Sequence, residues 1–195
     1  MKQVVVATGN AGKLREFGRI FAPFGLKAAA QKEVCPGLSV EENGTTFAEN
    51  AFLKADAVHR QTGRAAVADD SGLCVDALDG RSGVYSARYA GEETPYPEKI
   101  QCLLAELDGV PDEKRTARFV AHICYIDEDG QRLDIEESCE GKIGYAPAGE
   151  NGFGFDPIFL VGEKSFSELD DAEKDAISHR GKALRTLAAY LEKQG

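Results

Sequence analysis

The 195-residue sequence predicts an α/β protein whose mixed β-sheet is flanked by helices. Three features carry that expectation. A β-branched run from Gln3 to Ala7 passes through Thr8-Gly9-Asn10 into a helical pattern. A second helical pattern is followed by short apolar strands, and a long apolar strand meets a hairpin signal at Asp129-Gly130. Strand-helix units favour parallel pairing and the hairpin requires antiparallel pairing, so the sheet should be mixed. No linker-like stretch, internal repeat or low-complexity segment interrupts the chain, and a single domain spanning 1–195 is expected.

Each element follows from a local pattern. From Lys13, a helix places Leu14, Phe17, Phe21 and Phe24 on one face, and Gly25 stops it. Leu26 to Gln31 suits a second strand, and the Gly- and Pro-containing stretch from Lys32 to Thr45 reads as a loop. Thr46-Phe47-Ala48-Glu49 has the spacing of a capping box, opening a helix that buries Phe47, Ala51, Ala55 and Val58 and ends at Gly63. Arg64 to Asp69 and Leu73 to Leu78 read as short strands around an Asp70-Ser71-Gly72 turn. After a glycine-rich loop, Thr94 and Pro95 start a helix carrying Ile100, Leu103, Leu104 and Leu107. Arg118 to Ile126 is an apolar strand, and Asp129-Gly130 turns it into a partner from Gln131 to about Glu140. Gly144 to Asp156 is a glycine-rich loop, Pro157 to Val161 a short strand, and Ser178 can cap a closing helix with Leu184, Leu187 and Leu191 inward.

Composition narrows the function. Hydrophobic residues at 43% and charged residues at 29% describe a soluble globular chain and set aside disordered, collagen-like and coiled-coil classes. The apolar start from Val4 to Ala7 is too short for a signal segment or membrane span, so a cytoplasmic address is expected. The five cysteines form no CxxC pair, which suits reduced thiols better than zinc. A net charge of -10 opposes extended nucleic-acid binding, yet a metal ion and a few lysines can reverse the potential around a small phosphate ligand.

Five constellations could carry chemistry. Thr8-Gly9-Asn10-Ala11-Gly12-Lys13 lies between a strand and a helix, where unpaired N–H groups, glycines and a lysine suit phosphate oxygens. It is not a Walker A loop, because Gly9 and Gly12 are too close and Leu14 replaces the hydroxyl residue. Its rival is a plain turn with a surface lysine. Asp69 and Asp70 end an apolar strand, and adjacent extended residues point to opposite sides, so Asp70 is assigned to the site and Asp69 to its support. Such hard oxygen ligands suit magnesium, with Glu41 or Glu42 as the second carboxylate. Asn50 and Lys54 share a helix face, where lysine could neutralise phosphate charge; an exposed helix lysine is the bland alternative. Gly152-Phe153-Gly154-Phe155-Asp156-Pro157 offers a stacking face for a base and an acceptor in Asp156, with core packing as the rival. Lys174, His179 and Arg180 could donate to a 6-oxo purine, against helix capping and surface charge.

Together, Thr8 to Lys13, Glu49-Asn50-Ala51 with Lys54, Ala68 to Leu73, Tyr85-Ser86-Ala87-Arg88-Tyr89, Gly152 to Pro157 and Ser178-His179-Arg180-Gly181 resemble the inosine/xanthosine triphosphate pyrophosphatase family. The ordered match spans nearly the whole chain. The resemblance implies an elongated mixed sheet flanked by helices, two lobes with the active-site cleft between them, a homodimer and magnesium dependence. It implies hydrolysis of ITP, dITP and XTP to the monophosphate and pyrophosphate, which cleanses the nucleotide pool. On that resemblance Thr8, Gly9, Asn10, Ala11, Gly12 and Lys13 bind the triphosphate. Asp70 is proton acceptor and metal ligand, and Glu42 completes the metal site. Lys54 is catalytic and, with Ser71, contacts substrate near the phosphates, while Phe153, Gly154, Phe155, Asp156, Lys174, His179 and Arg180 form the base pocket. Phe155 stands where family members often carry tyrosine or tryptophan, so no polar contact is expected from its ring. A pyrimidine or modified-nucleotide pyrophosphatase and a non-catalytic nucleotide-binding protein remain the alternatives.

Overall fold

The computed structural model describes residues 2–194. In chain order the elements are β1 (Lys2–Val6), α1 (Ala11–Phe21), β2 (Leu26–Ala30), α2 (Gln31–Val34), α3 (Phe47–Thr62), β3 (Ala66–Val75), β4 (Arg81–Ser82) and α4 (Tyr96–Glu106). They continue with β5 (Thr116–Ile126), β6 (Arg132–Ile143), β7 (Phe159–Val161), β8 (Lys164–Ser165), α5 (Asp171–Ile177) and α6 (His179–Lys193). Among the described residues, hydrogen-bonded neighbours follow the order β2-β1-β3-β5-β6-β7-β8, with β4 on β3. β1 pairs in parallel with β2 and β3, whereas β6-β7, β7-β8 and β3-β4 are antiparallel, so the sheet is mixed as expected. The chain divides into two compact units, and β3, β5 and β6 contribute residues to both.

The first unit comprises residues 1–70, 121–137 and 180–195. Its strands show why continuous apolar runs are needed. Val4 and Val6, Ala65 and Val67, and Ile123 and Tyr125 pack with Phe17, Phe21, Leu184, Leu187 and Leu191 of α1 and α6. Val5 and Ala7, Ala66 and Ala68, and Cys124 and Ile126 pack with Ala51, Ala55 and Val58 of α3. Alternate residues thus enter two separate cores, and a strand covered on both faces has no polar side. The helix ends obey their expected signals. Asn10 caps α1, Gly25 sits in the left-handed region at φ 67° after a short 3-10 extension, and the Thr46-Glu49 capping box opens α3, which Gly63 closes at φ 63°.

The second unit, residues 71–120 and 138–179, has one core in which Leu73, Val75, Leu103, Phe119, Ile143, Phe159 and Phe166 meet. The expected turn at Asp70-Ser71-Gly72 is not formed: the chain stays extended as the single strand β3. The reason lies at Gly72. A Cβ there would stand 2.1 Å from the Gly83 carbonyl oxygen and 2.6 Å from Ser86 Oγ, so the glycine serves close approach of backbone to strand rather than a bend. Ser86 Oγ also accepts the Leu73 N–H at 2.9 Å, which fastens the following segment to β3. Among the described residues, four short elements have no counterpart in the sequence-based expectations: α2, β4, β8 and α5. The last carries its own signal, because Asp170 and Glu173 form a capping box.

These contacts predict opposite outcomes for two alanine substitutions. Gly72→Ala should cost about 1–3 kcal/mol by forcing backbone apart, whereas Gly18→Ala, with open space around it inside α1, should stabilise by about 0.5–1 kcal/mol through helix propensity. Urea midpoints of the two variants against the parent measure both signs, and equal midpoints for the two would contradict the packing argument.

Candidate active site

In the first unit the loop after β1 is shaped by its own side chains. Thr8 Oγ1 accepts the Asn10 N–H at 3.1 Å, and Asn10 Oδ1 accepts the Lys13 N–H at 3.1 Å, which leaves Gly9, Asn10 and Ala11 exposed ahead of the N-terminus of α1. A Cβ at Gly9 would meet nothing within 4 Å, so there is room beside the loop. This is the exposed, donor-rich helix start that phosphate recognition requires. Lys13 is not the surface lysine of the bland alternative: its ammonium is ion-paired with Asp69. Burial, the largest influence, pulls the Lys13 pKa down, and Arg180 and Lys54 act in the same direction against the pull of Asp69.

Asp69 and Asp70 face different partners, as alternation along a strand demands. Asp69 is fully buried and is held by Arg180 Nε at 2.8 Å, Arg180 Nη2 at 3.3 Å and the Lys13 ammonium. Arg180 also donates from Nη1 to Glu16 Oε2 at 2.6 Å. Burial pushes the Asp69 carboxyl up, but the Arg180 and Lys13 charges outweigh it and hold the group far below the ordinary carboxylate range. Arg180 is 2% exposed and its guanidinium is engaged by Asp69 and Glu16, so its role in the first unit is to neutralise carboxylates. Sequence reasoning misses Glu16. The available signal is its position one turn beyond Gly12 and one turn before Ile20, on the buried face of α1.

Asp70 meets α3. Asn50 Nδ2 donates to Asp70 Oδ2 at 3.2 Å while Asn50 Oδ1 accepts the Gly44 N–H at 2.8 Å, so one amide ties β3 to the loop preceding α3. Lys54 donates to Glu42 Oε2 at 2.7 Å, to the Asp69 carbonyl at 2.9 Å and to Asp70 Oδ1 at 3.4 Å. Burial raises the Asp70 pKa above the ordinary carboxylate value, with Lys54 and then Lys13 opposing it. For Lys54 the balance reverses: burial would lower its pKa, but Asp70 and Glu42 outweigh burial and raise it. Glu42, rather than Glu41, is therefore the carboxylate brought toward Asp70.

Two oxygen donors converging on one cationic group suit a hard divalent cation that keeps water and substrate oxygens in its remaining positions. Among the described residues no cluster of three or more His, Cys, Asp or Glu side chains is arranged to hold a metal. The carboxylates of Asp70 and Glu42 fit a magnesium bound jointly with phosphate.

The second unit assembles its own cluster. Asp156 Oδ2 accepts the Phe153 N–H at 2.8 Å and a bond from the Lys174 ammonium at 2.7 Å, both side chains of the ion pair being 5% exposed. The Lys174 ammonium lies 4.8 Å from the centroid of Phe153 and 5.7 Å from that of Phe166. Gly152 and Gly154 hold φ of 77° and 68°, which lets the loop fold around Asp156. Phe153, Gly154, Asp156 and Lys174 are thus brought together. Phe155 is not part of a stacking face: it is 3% exposed and packs edge-on against Tyr89 and Tyr96 at 6.0 and 5.4 Å, so core packing claims that ring. His179 is likewise buried and stacks on Phe119 at 4.8 Å. Ser71 opens this unit in β3 and is partly exposed, and Ser178 occupies the junction between α5 and α6.

An open mixed sheet with a phosphate-type loop after its first parallel strand, and carboxylates held beside a buried lysine, defines a nucleotide-type α/β site. The chain belongs to the Ham1 family, whose model matches residues 4–190. It is 50% identical to a protein named dITP/XTP pyrophosphatase from Geobacillus kaustophilus, over 98% of this chain and 95% of that relative. A relative of the same name from Vibrio parahaemolyticus is 47% identical over 100% of this chain and 98% of its own length. Among solved structures, the Ham1 protein of Staphylococcus aureus superimposes with a TM-score of 0.88 at 39% identity, covering 100% of both chains.

The buried network makes Arg180 a structural requirement. Arg180→Gln should cost about 3–5 kcal/mol because it leaves two buried carboxylates without their shared cation, whereas Arg60→Ala, in an exposed pair with Asp56 on α3, should change stability by less than about 1 kcal/mol. Chemical denaturation of the two variants compares these losses directly; similar small losses would show that the carboxylates find other compensation.

Proposed function

We infer that this chain hydrolyses noncanonical purine nucleoside triphosphates, with dITP, ITP and XTP as the substrate class, to the nucleoside monophosphate and pyrophosphate. The observation that carries the chemistry is Asp70: a desolvated carboxylate held at Oδ2 by Asn50 and at Oδ1 by Lys54, whose ammonium also holds Glu42. The substrate class is supported by the relatives named dITP/XTP pyrophosphatase that share about half of the sequence.

In this reading Asp70 orients a water for in-line attack on the α-phosphorus and accepts its proton, and pyrophosphate leaves with the electron pair of the broken P–O bond. Burial suits Asp70 to this task because it raises the basicity of the carboxylate. Lys54 retains its charge between two carboxylates and is placed to oppose negative charge that develops on phosphate oxygens. Thr8 to Lys13 present backbone donors to the triphosphate, and Asn50 fixes the rotamer of Asp70. Asp70 and Glu42 would hold a magnesium ion together with substrate, and when bound it would supply concentrated positive charge against the phosphate oxygens. Phe153 offers the base an aromatic face, and Asp156 with Lys174 holds the loop that carries it.

The enzyme is further taken to be a cytoplasmic homodimer that cleanses the nucleotide pool. Among the described residues no helix is long and apolar enough to cross a membrane, and Cys35 and Cys124 are buried free thiols, which suits a reducing compartment. Light scattering should return twice the 21.0 kDa mass of the chain; the chain mass itself would replace the dimer with a monomer.

Pyrophosphate and orthophosphate release from dITP, ITP, XTP, GTP, ATP, dTTP and UTP tests the central reading. The expected result is pyrophosphate from the first three, lost on addition of chelator and restored by magnesium. Orthophosphate release or a pyrimidine preference would replace this reading with another hydrolase. Asp70→Asn should lower kcat by about 10²–10⁴-fold, the range for loss of a general base, while equilibrium binding of the nucleotide is retained. Retained turnover with lost binding would move Asp70 from proton transfer to substrate binding.

A further inference from the structure

Lys99 lies on α4 and is 1% exposed, yet it is far in sequence from every candidate site residue. A lysine is almost never fully buried unless its ammonium is compensated, because desolvating the charge is costly. Here the compensation is not a carboxylate. The Lys99 ammonium donates to the Ala87 carbonyl and lies 5.3 Å from the centroid of the Tyr96 ring, its neighbour one helical turn back on the same face of α4.

Both partners lead somewhere specific. Ala87 sits in the Tyr85 to Tyr89 segment; around it the carbonyls of Gly83, Tyr85 and Arg88 accept the Ser86, Arg88 and Gly91 N–H groups, while the Ala87 carbonyl receives the Lys99 side chain. Tyr96 extends in the other direction. Its ring packs edge-on against Phe155 at 5.4 Å, and a Cβ on Gly154 would stand 3.5 Å from Tyr96 Cε1. Gly154 and Phe155 belong to the loop that closes on Asp156 through the Phe153 N–H. Asp156 lies near enough to Tyr96 to act with burial in pushing the phenol upward.

We propose that Lys99 is a positioning residue for the Gly152 to Asp156 loop: by gripping the Ala87 carbonyl and the face of Tyr96, it fixes the wall on which Gly154 and Phe155 rest. The proposal deepens the functional reading above, in which that loop presents Phe153 to the base. A methionine at this position would fill the same space without a buried charge but could not donate to Ala87 or attract the aromatic face. Glutamine would retain an N–H donor for the carbonyl. Tyr96→Leu would remove the ring through which the grip reaches Gly154.

Two measurements on the full chain test the idea. In the first, hydrogen exchange of the Gly152 to Asp156 amides should quicken by about five-fold or more in Lys99→Met and Tyr96→Leu, and by less than about two-fold in Lys99→Gln. In the second, Lys99→Met should raise KM for dITP by about five-fold with kcat within about two-fold of the parent, as expected when loop placement rather than chemistry is disturbed. The Lys99→Met/Tyr96→Leu double variant should exceed the worse single variant by no more than about two-fold, because both substitutions break one path. Unchanged exchange in that loop overturns the proposal whatever the catalytic result, as does a double variant whose effects multiply. Parent protein that releases no pyrophosphate from dITP would instead overturn the functional reading, and the exchange measurement would still decide the role of Lys99.

Discussion

The ion pair between Asp69 and Arg180 joins residues 111 positions apart and is buried within the first unit. Around it, Lys13 and Glu16 come from α1, Asp69 from β3 and Arg180 from α6, so three elements meet in one network of alternating charge. Burial alone would drive Asp69 toward the neutral form, and the Arg180 guanidinium, with Lys13 behind it, keeps it ionised. A buried network of this kind is weak evidence for net stability, since hydrophobic residues of similar shape could serve as well. What it specifies is register. Asp69 can meet Arg180 only if β3 presents it toward α1 and α6, and the period of two then sends Asp70 to the other face, toward Asn50 and Lys54 on α3.

The elements legible in the sequence are those whose cause is local. The Thr46-Glu49 capping box, the stops at Gly25 and Gly63, the Asp129-Gly130 turn and the inward leucines of α6 each depend on residues within a few positions of one another. The turn expected at Asp70-Ser71-Gly72 fails for the opposite reason. Polar residues and glycine locally favour a bend, but the requirement at Gly72 comes from Gly83 and Ser86, which only tertiary packing brings against β3. Propensity is a weak prior where a neighbouring backbone occupies the space a side chain would need.

The same distinction sorts the candidate site. Alternation along a strand is enough to assign Asp70 and Asp69 to different faces, and helical spacing is enough to place Asn50 beside Lys54. Neither can reveal that Lys13 is drawn to Asp69, nor that Glu42 rather than Glu41 reaches Lys54. In the second unit, two phenylalanines on either side of one glycine meet different fates. Phe153 remains partly exposed beneath the Lys174 ammonium, while Phe155 enters a cluster of aromatic edges with Tyr89 and Tyr96. The pattern Gly-Phe-Gly-Phe contains no local difference that would tell them apart; the difference is supplied by α4 and by the segment before it.

Adjacent carboxylates with separate surroundings also explain how one strand can hold two acids of opposite tendency, one fixed as an anion and the other drawn toward the neutral form, as the proton transfer proposed for Asp70 requires. Asp69 is pressed far below the ordinary range by Arg180 and Lys13, so it remains an anion and cannot exchange protons usefully near neutrality. Asp70 experiences burial with weaker compensation, and its pKa moves upward. Opposite shifts in neighbouring groups separate their roles: the depressed one organises structure, and the raised one is available for proton transfer. Lys54 links the two assignments, because it donates to the backbone carbonyl of Asp69 and to the side chain of Asp70 through one ammonium. Its position is therefore set by the backbone of Asp69, and its charge acts on the carboxylate of Asp70.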